Sequence, residues 1–215
     1  MNWKNNHIKF EEIPAGEYIN FDWKEDDITS IDFSNCRYLI IWHHQSKEKD
    51  FSNLPDIPNL LYLEVDWSNS TSLKGLSKFK ELKRLELHYC TKLETLDGIE
   101  SMNKEIEHIH ISQSKKLTSH ERITLLKQLR ILCFNECGVI ESLKFLNELP
   151  QLEDFRFVNS NVLDGDLSPI LQHPKLGNAG FLNKRHYSHK DSFVEDYLKR
   201  RKITNAQSSG WLTAN

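Results

Sequence analysis

The sequence predicts an α/β repeat solenoid, a curved stack of short parallel strands joined by 3₁₀ or short helical segments. Three observations predict it. An apolar motif, L-x-x-L-x-L, recurs every 22 to 24 residues. A small or polar residue recurs three positions beyond each motif. The links between motifs carry apolar residues at every third position.

The motif reads Leu60-Leu63-Val65, Leu82-Leu85-Leu87, Ile106-Ile109-Ile111, Leu129-Leu132-Phe134 and Leu152-Phe155-Phe157, with successive first positions 22, 24, 23 and 23 apart. A fixed period of this size means stacked supersecondary units, each too small to bury its own apolar face. Weaker copies lie at Cys36-Leu39-Ile41 and Leu176-Ala179-Phe181, and a degenerate strand is expected around Ile19 and Phe21. Side chains alternate between the two faces of a strand. The motif leucines therefore point inward and their neighbours line the opposite, concave face.

The position three beyond each motif holds His44, Ser68, Cys90, Ser114, Cys137 and Ser160. The links Leu73-x-x-Leu76-x-x-Phe79-x-x-Leu82 and Ile140-x-x-Leu143-x-x-Leu146-x-x-Leu149 suit 3₁₀ turns, whose side chains at i and i+3 eclipse. One link departs from this pattern. After Leu117 come Thr118-Ser119-His120-Glu121-Arg122, then Ile123 and Leu126, which predicts a longer or more helical convex segment.

Together these features resemble the short-repeat leucine-rich-repeat proteins of the internalin and phosphatase-regulator type, over about residues 36 to 182 and most clearly 60 to 160. The resemblance implies a leucine-rich-repeat horseshoe with a concave parallel β-sheet and short 3₁₀ or helical convex segments. It also implies an inward ladder of Asn, Cys, Ser or Thr that hydrogen-bonds the turn backbone; five of the six ladder residues here fit. Protein binding is the function class implied.

Stacked repeats need caps. Residues 1–35, with Phe10, Ile13, Tyr18, Phe21 and Trp23, are expected to form an N-terminal cap of irregular β character, and residues 36–182 the repeats. Residues 183–203 form the C-terminal cap region: Asp191 is an N-cap signal, and Phe193, Val194, Tyr197 and Leu198 have helical spacing. Residues 204–215, with Trp211, are expected to be a mobile tail, the whole forming one structural domain.

Composition limits the function classes. Hydrophobic residues at 38% and charged residues at 27% belong to a folded chain, and a net charge of −3 offers no general attraction to nucleic acid. No apolar run suits a membrane span or a secretory signal. Cys36, Cys90, Cys133 and Cys137 form no disulfide framework. A cytoplasmic, reducing location is expected, with no membrane partner.

The concave face reads column by column as Tyr38, Tyr62, Arg84, His108, Ile131, Asp154; then Ile40, Glu64, Glu86, His110, Cys133, Arg156; then Trp42, Asp66, His88, Ser112, Asn135, Val158. Just beyond come His43, Trp67, Tyr89, Gln113, Glu136 and Asn159. Aromatics interleaved with charges have the composition of protein-contact hot spots. The candidate contact residues are therefore Tyr38, Trp42, Tyr62, Glu64, Asp66, Trp67, Arg84, Glu86, His88, Tyr89, His108 and His110. Some of these aromatics could instead pack together under the N-terminal cap.

His88, His108 and His110 fall close together, and H-x-H on a strand puts both rings on one face, a geometry metals use. Contact residues or carboxylate-paired histidines are the commoner outcome, so no metal and no cofactor is expected. The cysteines are assigned to structure. No phosphate loop, nucleophile elbow or zinc-protease helix can be read, and an enzyme is not expected.

Charge is uneven. Residues 1–27 carry three Lys against seven Asp and Glu, and residues 183–202 carry seven Lys and Arg against three Asp and Glu. The basic end suits either a nucleic-acid contact or cations opposing a helix dipole at its C-terminus, and the dipole reading is preferred. The leading expectation is a non-enzymatic module that binds a protein, specifically a bacterial immunity-type protein covering a toxin. The alternative is a regulatory or targeting subunit that holds an enzyme without inhibiting it.

Overall fold

The computed structural model describes the backbone of residues 2–5 and 7–212, with side chains described as far as residue 203. Its centre is one parallel sheet. The strands are β1 (Tyr18–Asp22), β2 (Tyr38–Trp42), β3 (Tyr62–Asp66), β4 (Arg84–His88), β5 (His108–Ser112), β6 (Ile131–Asn135), β8 (Asp154–Arg156) and β10 (Asn178–Gly180). They lie side by side in chain order, as a solenoid requires. Two short strands, β7 (Val139–Ile140) and β9 (Asn161–Val162), pair separately.

Each strand has the same physical origin. From β2 to β6 the two inward residues are large and apolar, so Leu39, Ile41, Leu63, Val65, Leu85, Leu87, Ile109, Ile111, Leu132 and Phe134 enter one continuous core. The register is residue for residue: Leu63 pairs Leu85 and Val65 pairs Leu87, which keeps every inward side chain against its counterpart. The degenerate strand expected around Ile19 and Phe21 is β1, paired to β2 with Phe21 in the core.

The links back to the next strand are 3₁₀ turns at Leu76–Lys78 and Ile99–Ser101, lengthening to six residues at His120–Leu125 and Leu143–Glu148. The irregular 114–129 link thus holds one of the longer turns. Gly75 and Gly98 start the two short ones at φ 92° and 103°. A Cβ on Gly75 would sit 2.3 Å from the Phe51 carbonyl carbon, so glycine lets neighbouring repeats close up.

The ladder residues satisfy backbone that the core would otherwise strand. Ser160 Oγ donates to Phe134 O (2.6 Å) and accepts from Cys137 N–H (2.9 Å), while Ser114 Oγ donates to Cys90 O (3.2 Å). His44, the residue outside the family pattern, also fits. Its Nδ1 meets Ser68 Oγ at 2.8 Å and its ring stacks on Phe51.

Short helix α1 (Ser168–Gln172) and long helix α2 (Asp191–Leu212) close the last repeat, with Val194 and Leu198 in the core. The helix continues past residue 203, where the tail is expected to start; the rest of that expectation lies outside the described residues. Lys199 to Lys202 fall mid-helix rather than at its C-terminus, so the dipole account of the basic end does not hold. Instead Arg201 donates to Leu171 O and Leu176 O, Lys202 to Asn178 Oδ1, and Lys199 pairs with Glu195. No helix of the described residues is long and apolar enough to cross a membrane.

Candidate functional site on the open face of the sheet

The face away from the core is divided in two, because part of it is already covered. The N-terminal segment crosses the first strands and seats Trp3 and Ile8 on Tyr38, Ile40 and Tyr62. Phe10 lies against Tyr18 and Tyr62, with ring centroids 4.6 and 5.9 Å away. Arg84 pins the segment from below: Nη1 donates to Trp3 O (3.1 Å) and Asn5 O (2.7 Å), with the guanidinium over the Tyr62 ring. Tyr62 is left 2% exposed.

The first candidate column is therefore interior. Tyr38, Tyr62, Arg84 and His108 are buried, the aromatics packing under the N-terminal cap rather than meeting solvent. Burial, reinforced by the Arg84 charge, pushes His108 down to about 3, so it is neutral at physiological pH. Trp3 and Ile8 were missed as partners of this column. Their only signal is apolar bulk within a polar stretch.

The residues after the strands are different. His43, Trp67 and Tyr89 each adopt left-handed backbone, at φ 54°. Non-glycine residues pay for that conformation, and cross-strand bonds offset it: His43 N–H donates to Asp66 O (2.8 Å) and Trp67 N–H to His88 O (3.0 Å). The turn stacks the rings. Trp67 lies 4.8 Å from Tyr89 at 16°, 5.3 Å from His43 at 18° and 5.5 Å from Trp42. Trp67 and Tyr89 are each 41% exposed. Asn20 accepts from the Trp42 indole (2.7 Å) and Asp22 bonds His43 (2.7 Å), holding the ridge from its β1 end.

Beside the ridge lies a polar cluster set by register: Glu64 pairs Glu86 and Glu86 pairs His110, while Asp66 pairs His88 and His88 pairs Ser112. Glu86 Oε1 accepts from Arg84 Nε (2.6 Å) and Nη2 (2.5 Å). Glu86 Oε2 meets His88 Nε2 at 3.0 Å and His110 Nδ1 at 3.7 Å. Burial would raise Glu86, but His110, His88 and Arg84 outweigh it and hold the carboxylate well below its usual range. His88 is lowered by burial yet raised overall by Glu86 and the neighbouring carboxylates. Asp66, buried beside Glu64, is pushed up to about 7.

Of the twelve candidates, then, Trp42, Trp67 and Tyr89 form the ridge, and Glu64, Asp66, Glu86, His88 and His110 form the cluster. His108 does not join the other two histidines. The four cysteines are buried free thiols, each pushed up to about 12 chiefly by burial, consistent with structural roles.

No protein-family model matches the chain, and no curated protein does. Among solved structures, it is similar to internalin C2 from Listeria monocytogenes str. 4b F2365, at 15% identity and TM-score 0.55, over 73% of this chain and 68% of that one. The fold is a leucine-rich-repeat solenoid. An internalin inlF from the same strain also matches, at 15% identity over 73% and 66% of the two chains, with TM-score 0.36. Identity this low speaks to fold alone, so the function of this leucine-rich-repeat chain has to be argued from its own residues.

Proposed function

We propose that this chain is a protein-binding module that engages its partner with the Trp42–Trp67–Tyr89 ridge and the acidic cluster beside it. The observation that carries this reading is the pair Trp67 and Tyr89, large rings stacked at 4.8 Å yet each 41% exposed. A ring held by its neighbours and by a hydrogen-bonded backbone loses little further freedom on binding, which is what makes aromatic anchors effective. Glu64 alongside, its side chain still partly exposed, favours a partner that brings a basic side chain. The covered column contributes support rather than contact.

Within this reading the bound protein is a toxin neutralised by an immunity-type module, or an enzyme redirected by a targeting subunit. Partner turnover in the complex separates these: the first abolishes it and the second preserves it. For either, Trp67→Ala should weaken the complex by about 2 kcal/mol or more. The test compares quantitative capture by wild type, Trp67→Ala and Tyr89→Ala, all shown to be folded. Equal retention of the same partner by all three would move the contact elsewhere.

A further inference from the structure

We propose that Glu86, His88 and His110, with Glu64 beside His88, form a binding site for a divalent transition metal of the zinc type. The inner atoms converge. Glu86 Oε2 lies 3.0 Å from His88 Nε2 and 3.7 Å from His110 Nδ1, and Glu64 Oε1 lies 4.0 Å from His88 Nε2. Ligands bonded to zinc at about 2.0–2.1 Å in a tetrahedron stand roughly 3.3 Å apart, and the three ligand atoms all lie within 4.8 Å of one another, so side-chain shifts close the site on a metal. Two imidazoles and carboxylates are a donor set that suits zinc and its neighbours.

The outer atoms are held in place. Glu86 Oε1 is taken by Arg84, His88 Nδ1 by Ser112 Oγ (2.7 Å), His110 Nε2 faces Asn135 Nδ2 (3.2 Å), and Glu64 Oε2 accepts from the Tyr62 hydroxyl. Glu86 and His88 thus each have one atom fixed from outside and one turned inward, the arrangement that orients metal ligands, whereas His110 meets a donor at its outer nitrogen. An independent observation is Asp66, 4% exposed, whose Oδ2 is buried without a hydrogen-bond partner although it stands beside His88 in the register. Glu64, Asp66 and Glu86 bring three carboxyl groups beside one guanidinium, and a dication offsets negative charge that burial penalises.

One ring has a preference that can be tested. His110 bound through Nδ1 carries its proton on Nε2, which wants an oxygen where Asn135 presents its amide nitrogen. Asn135 Oδ1 is engaged by Val158 N–H at 2.9 Å. Asn135→Asp offers oxygens to both groups.

The experiment adds zinc chloride to the chelator-stripped full chain near neutral pH and follows heat by calorimetry, with cobalt(II) absorption reporting coordination. One equivalent should bind with sub-micromolar affinity. His88→Ala and His110→Ala should each weaken it about 100-fold or more, and Asn135→Asp should tighten it about tenfold. The chain has ten histidines, so His189→Ala serves as the surface control and should leave affinity unchanged. Binding no tighter than surface histidines provide, wild-type affinity in either ligand variant with its fold confirmed, or weaker binding by Asn135→Asp would each overturn the assignment.

Discussion

Tyr62 opens β3 and Trp67 follows its last residue, and the structure gives these two aromatics opposite fates. Tyr62 is 2% exposed under Trp3 and Phe10, and its hydroxyl donates to Glu64; Trp67 is 41% exposed. Removing a buried aromatic ring costs about 3–5 kcal/mol when the surroundings cannot collapse. The segment above Tyr62 can shift, which places Tyr62→Ala near the lower limit, at about 3 kcal/mol. For a chain of this size that lowers Tm by roughly 6–12 °C. Trp67→Ala leaves the core intact and should cost under about 1 kcal/mol. Urea unfolding followed by far-ultraviolet circular dichroism measures both, and hydrogen exchange in residues 2–13 should accelerate in Tyr62→Ala alone. If Tyr62→Ala unfolds within about 0.5 kcal/mol of wild type, the N-terminal segment does not sit on this face and the division of the sheet is wrong.

Two further expectations concern the core. Leu85→Ala removes a fully buried side chain from β4 and should cost about 2–5 kcal/mol by denaturant unfolding; wild-type stability would refute the inward register. His120 packs edge-on against Phe134, and burial pushes it down to about 4 from the usual 6.5. The unfolded chain therefore takes up this proton first, so the histidine's stabilising contribution is whole above about 6.5 and is lost as pH falls toward 4, by at most about 3 kcal/mol. His120→Gln should gain on wild type by about 2 kcal/mol between pH ~7 and ~4.5, and a constant difference would contradict a buried neutral ring.

What was legible in the sequence is what repeats. The 22–24-residue spacing located β2 to β6, β8 and β10, and side-chain alternation put Glu64, Glu86 and His110 in one column, where the pairing has them. Two things were not legible, for different reasons. The cover over Tyr38 and Tyr62 comes from Trp3 and Ile8, thirty or more residues away and outside any period, so nothing local announces the contact. The left-handed turn at His43, Trp67 and Tyr89 runs against residue preference; glycine or asparagine would have signalled it, whereas here cross-strand hydrogen bonds hold it at His43 and Trp67. The basic end misled for a related reason. Arg201 donates to the Leu171 carbonyl and Lys202 to the Asn178 side chain, contacts that appear only once α2 docks on the last repeat, while Lys199 pairs with Glu195 along the helix itself.

Arg84 is where cover and site meet. It holds the carbonyls of Trp3 and Asn5 on one side and Glu86 on the other, with its side chain 7% exposed. Removing one member of a buried ion pair leaves the other charge without compensation and typically costs 3–5 kcal/mol. A Glu86 substitution would therefore disturb the N-terminal segment as well as the histidines, and loss of any binding activity could not be assigned to either. His110 carries no such load: its partners are Glu86 at 3.7 Å and Asn135 at 3.2 Å, and its ring lies at the solvent side of the cluster. The same reasoning separates the ridge from the metal site. Trp67 and Tyr89 share no hydrogen bond with Glu86, His88 or His110 through their side chains, so their substitution tests partner binding while leaving the proposed ligands in place.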